Sequence, residues 1–377
     1  PSVSAGWRLS EESFMEDIDW LSNLKLRGSY GTTGSDSDIG AWRWTNIYQK
    51  TSGYIFGNSL QDGLRPGAMP NPDITWSTVT LWDVGLEYGV IDNKLRGEFD
   101  VWSKTESDIL GNRSGSTPTT LGATLPAVNY AQRSWDGFEV SASWNNRAGD
   151  LNYQVYANMG YAIDKWDIID QPESYTDGTY ENNWRSAIDK PAQRVGGYIS
   201  KGIIRTQEEL DAIPDGFTQF GREPVLGAIL FEDIRGDNYS EGPDGKIDGN
   251  DWTYLSDNGA PRINYGLGIN LEWKGLAVNT HFQGVGAYDR MVRNRNSWGV
   301  FQVDRPYFEI WADNYWTPET PDAKYPRVAG NWLQPEYGGG ASSFWIRDGS
   351  FLRLKNLNIA YTLPTQWYQK LGVNKVQ

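Results

Sequence analysis

Between Ser134 and Asp164 the chain changes character at every residue. Phe138, Val140, Ala142 and Trp144 alternate with Glu139, Ser141, Ser143 and Asn145; further on, Leu151, Tyr153, Val155, Ala157, Met159 and Tyr161 alternate with Asn152, Gln154, Tyr156, Asn158 and Gly160. A period of two is the strand signature, because successive side chains point to opposite faces of a sheet. The stretch therefore predicts one hairpin. Its arms run to about a dozen residues where roughly 5–6 is usual, and strands that long, apolar on one face and rich in aromatics, suit the wall of a membrane-spanning barrel.

The same alternation recurs along the chain. Residues 1–10 read as the tail of a strand, residues 11–23 as a turn carrying a brief amphipathic helix, and Leu24 to Gly31 as a further strand. The section up to about Ser77 reads as loop, punctuated by Pro and Gly between Pro66 and Pro72. Thr78 to Val90 and Lys94 to Lys104 form a second hairpin through Ile91, Asp92 and Asn93. Arg262 to Trp273 and Leu276 to Tyr288 form a third through Lys274 and Gly275. Its polar face carries acids, amides and glycines, which suit either bulk water beside a sandwich or a wet barrel lumen.

Connection lengths separate these two architectures. Short connections, around Ile91, around Ala148 and at Lys274 and Gly275, alternate with long ones, from Ser35 to Trp76, Glu106 to Arg133, Lys165 to Pro261 and Arg290 to Ser350. Outer-membrane barrels keep short turns on the periplasmic side and long loops outside, whereas the two ends of a soluble sandwich meet the same solvent. The pattern predicts an all-β, large antiparallel transmembrane β-barrel, of which this chain carries about nine strands.

Composition refines this picture. The 377 residues are 38% hydrophobic with a net charge of -14, and no apolar run approaches the roughly 18 residues of a membrane helix. Only every second residue of a barrel strand meets lipid, so low hydropathy does not count against a barrel. The 19 Trp and 21 Tyr suit interfacial girdles and the 42 Gly suit turns and close strand packing. The acidic balance argues against a nucleic-acid partner, since no basic patch neutralises phosphates. Zero cysteines fits a cell-envelope protein that needs no disulfide staples. No signal peptide opens the chain, and its abrupt start and finish suggest a segment of something longer.

Several blocks carry a family resemblance: PSVSAGWRLSEESFM, LKLRGSYGTTG, GKIDGND and above all WIRDGSFLRLKNLNIAYTLP followed by WYQKLGV. In order and across the whole chain they resemble the C-terminal half of SusC/RagA-type TonB-dependent outer-membrane transporters. The Asp348 to Pro364 block is the most specific. The resemblance implies a 22-stranded barrel, with residues 1–377 forming part of that one domain and the plug, TonB box and barrel closure lying outside them. It further implies a location in the outer membrane of a Gram-negative bacterium, in contact with outer-membrane lipid. The activity it implies is import of glycan or peptide fragments with a SusD-like lipoprotein lid and the TonB–ExbB–ExbD complex.

Phe231 to Trp252 is the most motif-like loop. An EF-hand-like site needs oxygen ligands at positions 1, 3, 5, 7, 9 and 12 and glycine at 6, and the family often shows a DxNxDGxIDxxD run here. Asp233 would be position 1, Gly245 position 6, the Lys246 carbonyl position 7, Asp248 position 9 and Asp251 position 12, with Asp237 and Asp244 competing for position 5. Arg235 stands where an Asn or Asp belongs, and residues 238–243 expand the loop. A structural calcium ion is thus a candidate, with an acidic turn that only shapes the backbone as the alternative; no cofactor is required.

The second candidate site is the cluster of Trp298, Tyr307, Trp311, Tyr315 and Trp316 with Arg293 and Arg295, in which rings would stack on sugars and charged neighbours would orient an oligosaccharide or oligopeptide. The alternative is a small loop core or a contact with a lid protein. Thr206 and Glu209 form a capping box for a short structural helix.

Enzymatic chemistry finds little support. His281 is the only histidine, cysteine is absent, and there is no G-x-S-x-G or phosphate-binding glycine loop. The expected function is import of oligomeric nutrients. The alternatives are a siderophore- or cobalamin-type TonB-dependent receptor and a secreted β-rich carbohydrate-binding protein or glycanase.

Overall fold

The structure, a computed structural model, describes residues 1–37, 39–67, 69–113, 115, 117, 120, 125–172, 175, 184–292, 309, 314–327, 341–364 and 367. Nine strands make one antiparallel sheet: β1 (Ser2–Arg8), β2 (Leu21–Ser35), β3 (Ser77–Val90), β4 (Leu95–Gly111), β5 (Val128–Ala148), β6 (Leu151–Ile168), β7 (Ile263–Trp273), β8 (Leu276–Gly286) and β9 (Phe351–Tyr361). Each pairs with the next along the chain, so the sheet order is the sequence order. Strand β5 runs for 21 residues and β6 for 18.

The register gathers the alternating sets onto two faces. Phe138 lies opposite Tyr161 and Val101, Ala142 opposite Ala157, and Leu267 opposite Ala157 and Phe282. One face is therefore apolar, and its side chains are exposed rather than covered: Trp7, Leu26, Val84, Phe99, Leu267 and Ile359 all face outward. Trp7, Tyr88, Trp144, Tyr153, Trp273 and Tyr361 occupy this face next to the short turns, and Tyr30, Trp82, Phe138, Tyr161 and Tyr265 cross it further up. From Tyr153 to Tyr161 is about 26 Å along the strand at roughly 3.3 Å per residue, or about 20 Å after a tilt near 40°. That matches in scale the roughly 25 Å apolar band between aromatic girdles of outer-membrane barrels. A sandwich would have covered this face with a second sheet, and among the described residues none does so.

Two backbone features show why the hairpins close and pack tightly. Lys274 and Gly275 join β7 to β8 with φ of 46° and 91°, a left-handed pair matched to the strand twist. On the inner face the Tyr156 ring lies over the Gly268 backbone, occupying the space a Cβ would need.

The structure departs from the alternation in three places. Residues 9–15 form two 3-10 turns, Leu9–Glu11 and Ser13–Met15, in place of the expected amphipathic helix. Glu12 between them is extended, and so short a segment does not repay helix nucleation. The supposed loop before Ser77 contains a hairpin, Tyr48–Phe56 with Ser59–Pro66, whose pattern is interrupted by a register shift between Thr51 and Tyr54. Strand β4 continues to Gly111 and β5 begins at Val128, because a bulge after Glu106, with Asp108 at φ 56°, breaks the period of two without ending the pairing.

The long connections carry their own core. Ile203, Ile229, Phe231, Ile247, Trp316, Tyr325 and Trp345 bury one another, although they come from two separate loops. Thr206 caps the short helix Gln207–Asp211 with the reciprocal Glu209 bond that its sequence predicts.

Candidate functional site

The inner face of the sheet is densely charged. The Arg27 guanidinium on β2 reaches Asp83 and Glu87 on β3 and Glu98 and Asp100 on β4, at 3.5, 3.4, 3.5 and 2.7 Å. Lys25 adds a 3.0 Å pair with Glu87. These residues are spaced by two or four along neighbouring strands, so the pleat puts them all on one face. Along the same register rows a groove of about 480 Å³ runs over Gly160 and Gly266, walled by Glu139, Asn158, His281 and Lys355. His281 stacks on Tyr156, its Nδ1 lying 3.3 Å from the tyrosine hydroxyl. Such a surface holds water and polar solutes through many weak contacts; it does not present a nucleophile with an aligned base.

The acidic loop is arranged differently from a cation site. The buried Asp251 carboxylate accepts backbone N–H bonds from Ile234, Arg235 and Asp248 at 2.9, 3.1 and 2.9 Å. Asp233 accepts from the Asp244 and Gly245 amides, and Asp248 from that of Asn250. The Lys246 ammonium lies 2.8 Å from Asp237 and 3.3 Å from Asp244. The Lys246 side chain thus puts a cation of its own between two of the candidate ligands, and the other carboxylates point at N–H donors. Among the described residues no three acidic or imidazole side chains converge as a metal ligand set would. Of the expected calcium ligands Asp233, Asp237, Asp244, the Lys246 carbonyl, Asp248 and Asp251, Asp237 and Asp244 meet the Lys246 ammonium, while Asp233, Asp248 and Asp251 accept backbone N–H bonds.

Burial, the largest influence, raises the Asp251 carboxyl above its ordinary value of 3.8, and the three backbone donors pull it part of the way back. An acid whose folded value is raised stabilises the fold fully below its unfolded value, and that contribution is lost as pH rises through the folded value. Asp251→Asn keeps an acceptor for Ile234 and Arg235 but turns an N–H₂ toward the Asp248 amide, an expected cost of roughly 1–2 kcal/mol. Limited proteolysis of the loop should show wild type more protected at about pH 4 than at about pH 7 from this group's contribution, and the variant should lose that component of the pH dependence.

Of the aromatic set, Tyr315 bridges to Tyr325 and Trp316 is buried in the loop core with its indole N–H donating to the Arg205 carbonyl at 3.2 Å. Trp298, Tyr307, Trp311, Arg293 and Arg295 lie outside the described residues. A second aromatic group leaves no local pattern in the sequence because its members are far apart: Trp184, Tyr239, Trp252 and Tyr254 adjoin one another, with Arg185, Arg194 and Arg235 on their rings.

Long antiparallel strands in sequence order, a lipid-like outer face between aromatic belts, a charged inner face and loops gathered at one end define a sector of a transmembrane β-barrel wall. Among the described residues no helix is long and apolar enough to cross a membrane. No family model matches the chain. Whole proteins do match: it is 28% identical over 388 residues to a TonB-dependent receptor of Formosa agariphila, covering 100% of this chain and 36% of that one. It is 23% identical over 381 residues to the TonB-dependent receptor SusC of Bacteroides thetaiotaomicron, covering 97% of this chain and 34% of SusC. The solved RagAB peptide importer in its closed-closed state superposes with a TM-score of 0.70 at 21% identity, over 97% of this chain and 37% of that one. In sequence and in fold the chain resembles a barrel segment of these SusC- and RagA-type TonB-dependent receptors. It spans about a third of the length of the relatives it matches.

Proposed function

We infer that this chain forms part of an outer-membrane importer of oligomeric nutrients, driven through the TonB–ExbB–ExbD complex and working with a SusD-like lipoprotein. The observation that carries the reading is the division of one nine-stranded sheet into an exposed apolar face and a charged inner face, with every long loop at the same end. Such a wall encloses a wet passage, and the loops supply a broad mouth for a ligand of several units and a seat for a lid. The substrate is an oligosaccharide or oligopeptide held by dispersed polar and aromatic contacts, among them those of Arg293, Arg295, Trp298, Tyr307, Trp311 and Tyr315. The relatives bear the names of receptors and importers, which supports transport as the reading.

Purification of the full-length protein from outer membranes in mild detergent tests this reading. A SusD-like lipoprotein is expected to co-purify in constant proportion. Recovery of the protein in the soluble fraction with no lipoprotein would overturn the reading and favour a secreted β-rich protein.

A further inference from the structure

In a chain with 48 acidic residues and 34 basic ones, Arg194 and Arg235 gather around the tripeptide Trp184, Arg185 and Ser186, and among the described residues none of the three arginines forms an ion pair with a carboxylate. Around Trp184, Arg185 and Ser186, the Arg235 guanidinium lies 3.9 Å from the Trp184 ring centroid. Arg194 donates to the Ser186 carbonyl at 2.8 Å and lies 3.5 Å from the Tyr254 ring. The Arg185 guanidinium is held between Tyr175 and Tyr239, 4.3 and 4.2 Å from their centroids. Trp252 meets Tyr254 edge to face at 5.0 Å and is fixed from behind, its ring lying against Gly196 where a Cβ would stand.

The three arginines differ in their hydrogen bonds. Arg235 spends Nη1 on the carbonyls of Asn250 and Trp252, and the neighbouring Asp251 is already filled by backbone donors. Its guanidinium is a brace for the loop. Arg194 has one carbonyl. Arg185 makes no hydrogen bond or ion pair among the described residues, although a guanidinium carries five N–H donors in one plane. The two tyrosine rings restrain its orientation, and its N–H donors have no hydrogen-bond partner among the described residues. Elsewhere on the chain Lys25, Arg27, Arg133 and Lys246 all lie against carboxylates.

We propose that Arg185, flanked by Arg194 and by the half-buried Tyr254 and Trp252 rings, is a capture site for an acidic oligosaccharide, one bearing carboxylate or sulfate groups. The planar fork takes two oxygens of one anionic group side by side, a match that a lysine does not offer. The rings offer the flat C–H face of a pyranose a stacking surface. An acidic peptide is the less favoured ligand, since extended peptides add to a strand edge and the platform presents side chains instead. The proposal rests on the importer reading and names its substrate class: the platform belongs to the connection between β6 and β7, at the long-loop end where nutrients would arrive.

Isothermal titration of the full-length, detergent-purified transporter with tetragalacturonate, a sulfated carrageenan tetrasaccharide, maltotetraose and tetraglutamate tests it. At least one of the two acidic sugars is expected to bind with an affinity that falls as salt rises, and maltotetraose is expected to bind far more weakly. Arg185→Gln should weaken acidic-sugar binding about tenfold or more, Arg185→Lys by less, and the distant Arg65→Gln not at all. The proposal is overturned if neither acidic sugar binds, if maltotetraose binds as tightly, if tetraglutamate alone binds, or if Arg185→Gln binds like wild type. Lipoprotein co-purification from the same preparations keeps failures apart: lipoprotein retained without acidic-sugar binding removes this site alone, and lipoprotein lost removes the importer reading. It also shows that the Arg185→Gln protein is folded.

Discussion

Leu267→Arg, placed near the middle of β7 on the outer face, is expected to destabilise the barrel by about 2–4 kcal/mol, the range for arginine at the bilayer midplane. Leu267 lies between Ala157 and Phe282 in a row of exposed apolar side chains, in the register row midway between Tyr153 and Tyr161 of the neighbouring β6. An arginine there cannot reach either interface without bending its stem along several strands, and its guanidinium must be solvated at the expense of the hydrocarbon. The same substitution on the opposite face, Asn279→Arg, is expected to stay within roughly 0.5 kcal/mol, because that side chain faces the wet interior. Urea unfolding of the full-length protein refolded into phospholipid vesicles measures both. Equal losses in the two variants would mean that the apolar face does not meet lipid.

Removal of Arg27 should be the most damaging change on the inner face. Its guanidinium is shared by Asp83, Glu87, Glu98 and Asp100, and the Asp100 side chain is only 10% exposed. Arg27→Met retains most of the aliphatic stem and leaves four carboxylates facing one another. A fully buried charge left without its partner costs about 3–5 kcal/mol; Arg27 and three of its partners are partly solvated, so a loss of roughly 2–3 kcal/mol is expected. Adding Asp100→Asn should recover part of that loss, since it removes the least solvated of the stranded charges. Additive losses in the double variant would show that Arg27 acts through packing of its stem and not through its charge.

Much of the barrel wall was legible along the chain. The period of two in Phe138 to Trp144, Leu151 to Tyr161 and Ile263 to Trp273 specifies strands and their faces, because register in a sheet with one apolar face cannot slip by a residue without exchanging the faces. Alternation of short and long connections then distinguishes a barrel from a sandwich. The pattern failed where local geometry overrides it, at the bulge after Glu106 and in the interrupted hairpin Tyr48–Phe56 with Ser59–Pro66.

Sites in the loops were far less legible. The spacing of Asp233, Asp244, Asp248 and Asp251 resembles a calcium loop, yet where those oxygens point depends on which backbone amides come near. Trp316 belongs to an aromatic run in sequence, and tertiary contact with Ile203, Ile229 and Trp345 turned it into core. Conversely, Arg185, Tyr239 and Tyr254 share no local pattern, and only the folding of a long connection onto itself brings them together. Strand alternation is a local, one-dimensional property and can be read along the chain. The Arg27 ion-pair cluster, the self-satisfied acidic loop and the arginine–aromatic platform are non-local juxtapositions, decided by cross-strand register and loop closure, and they exist only in the folded molecule.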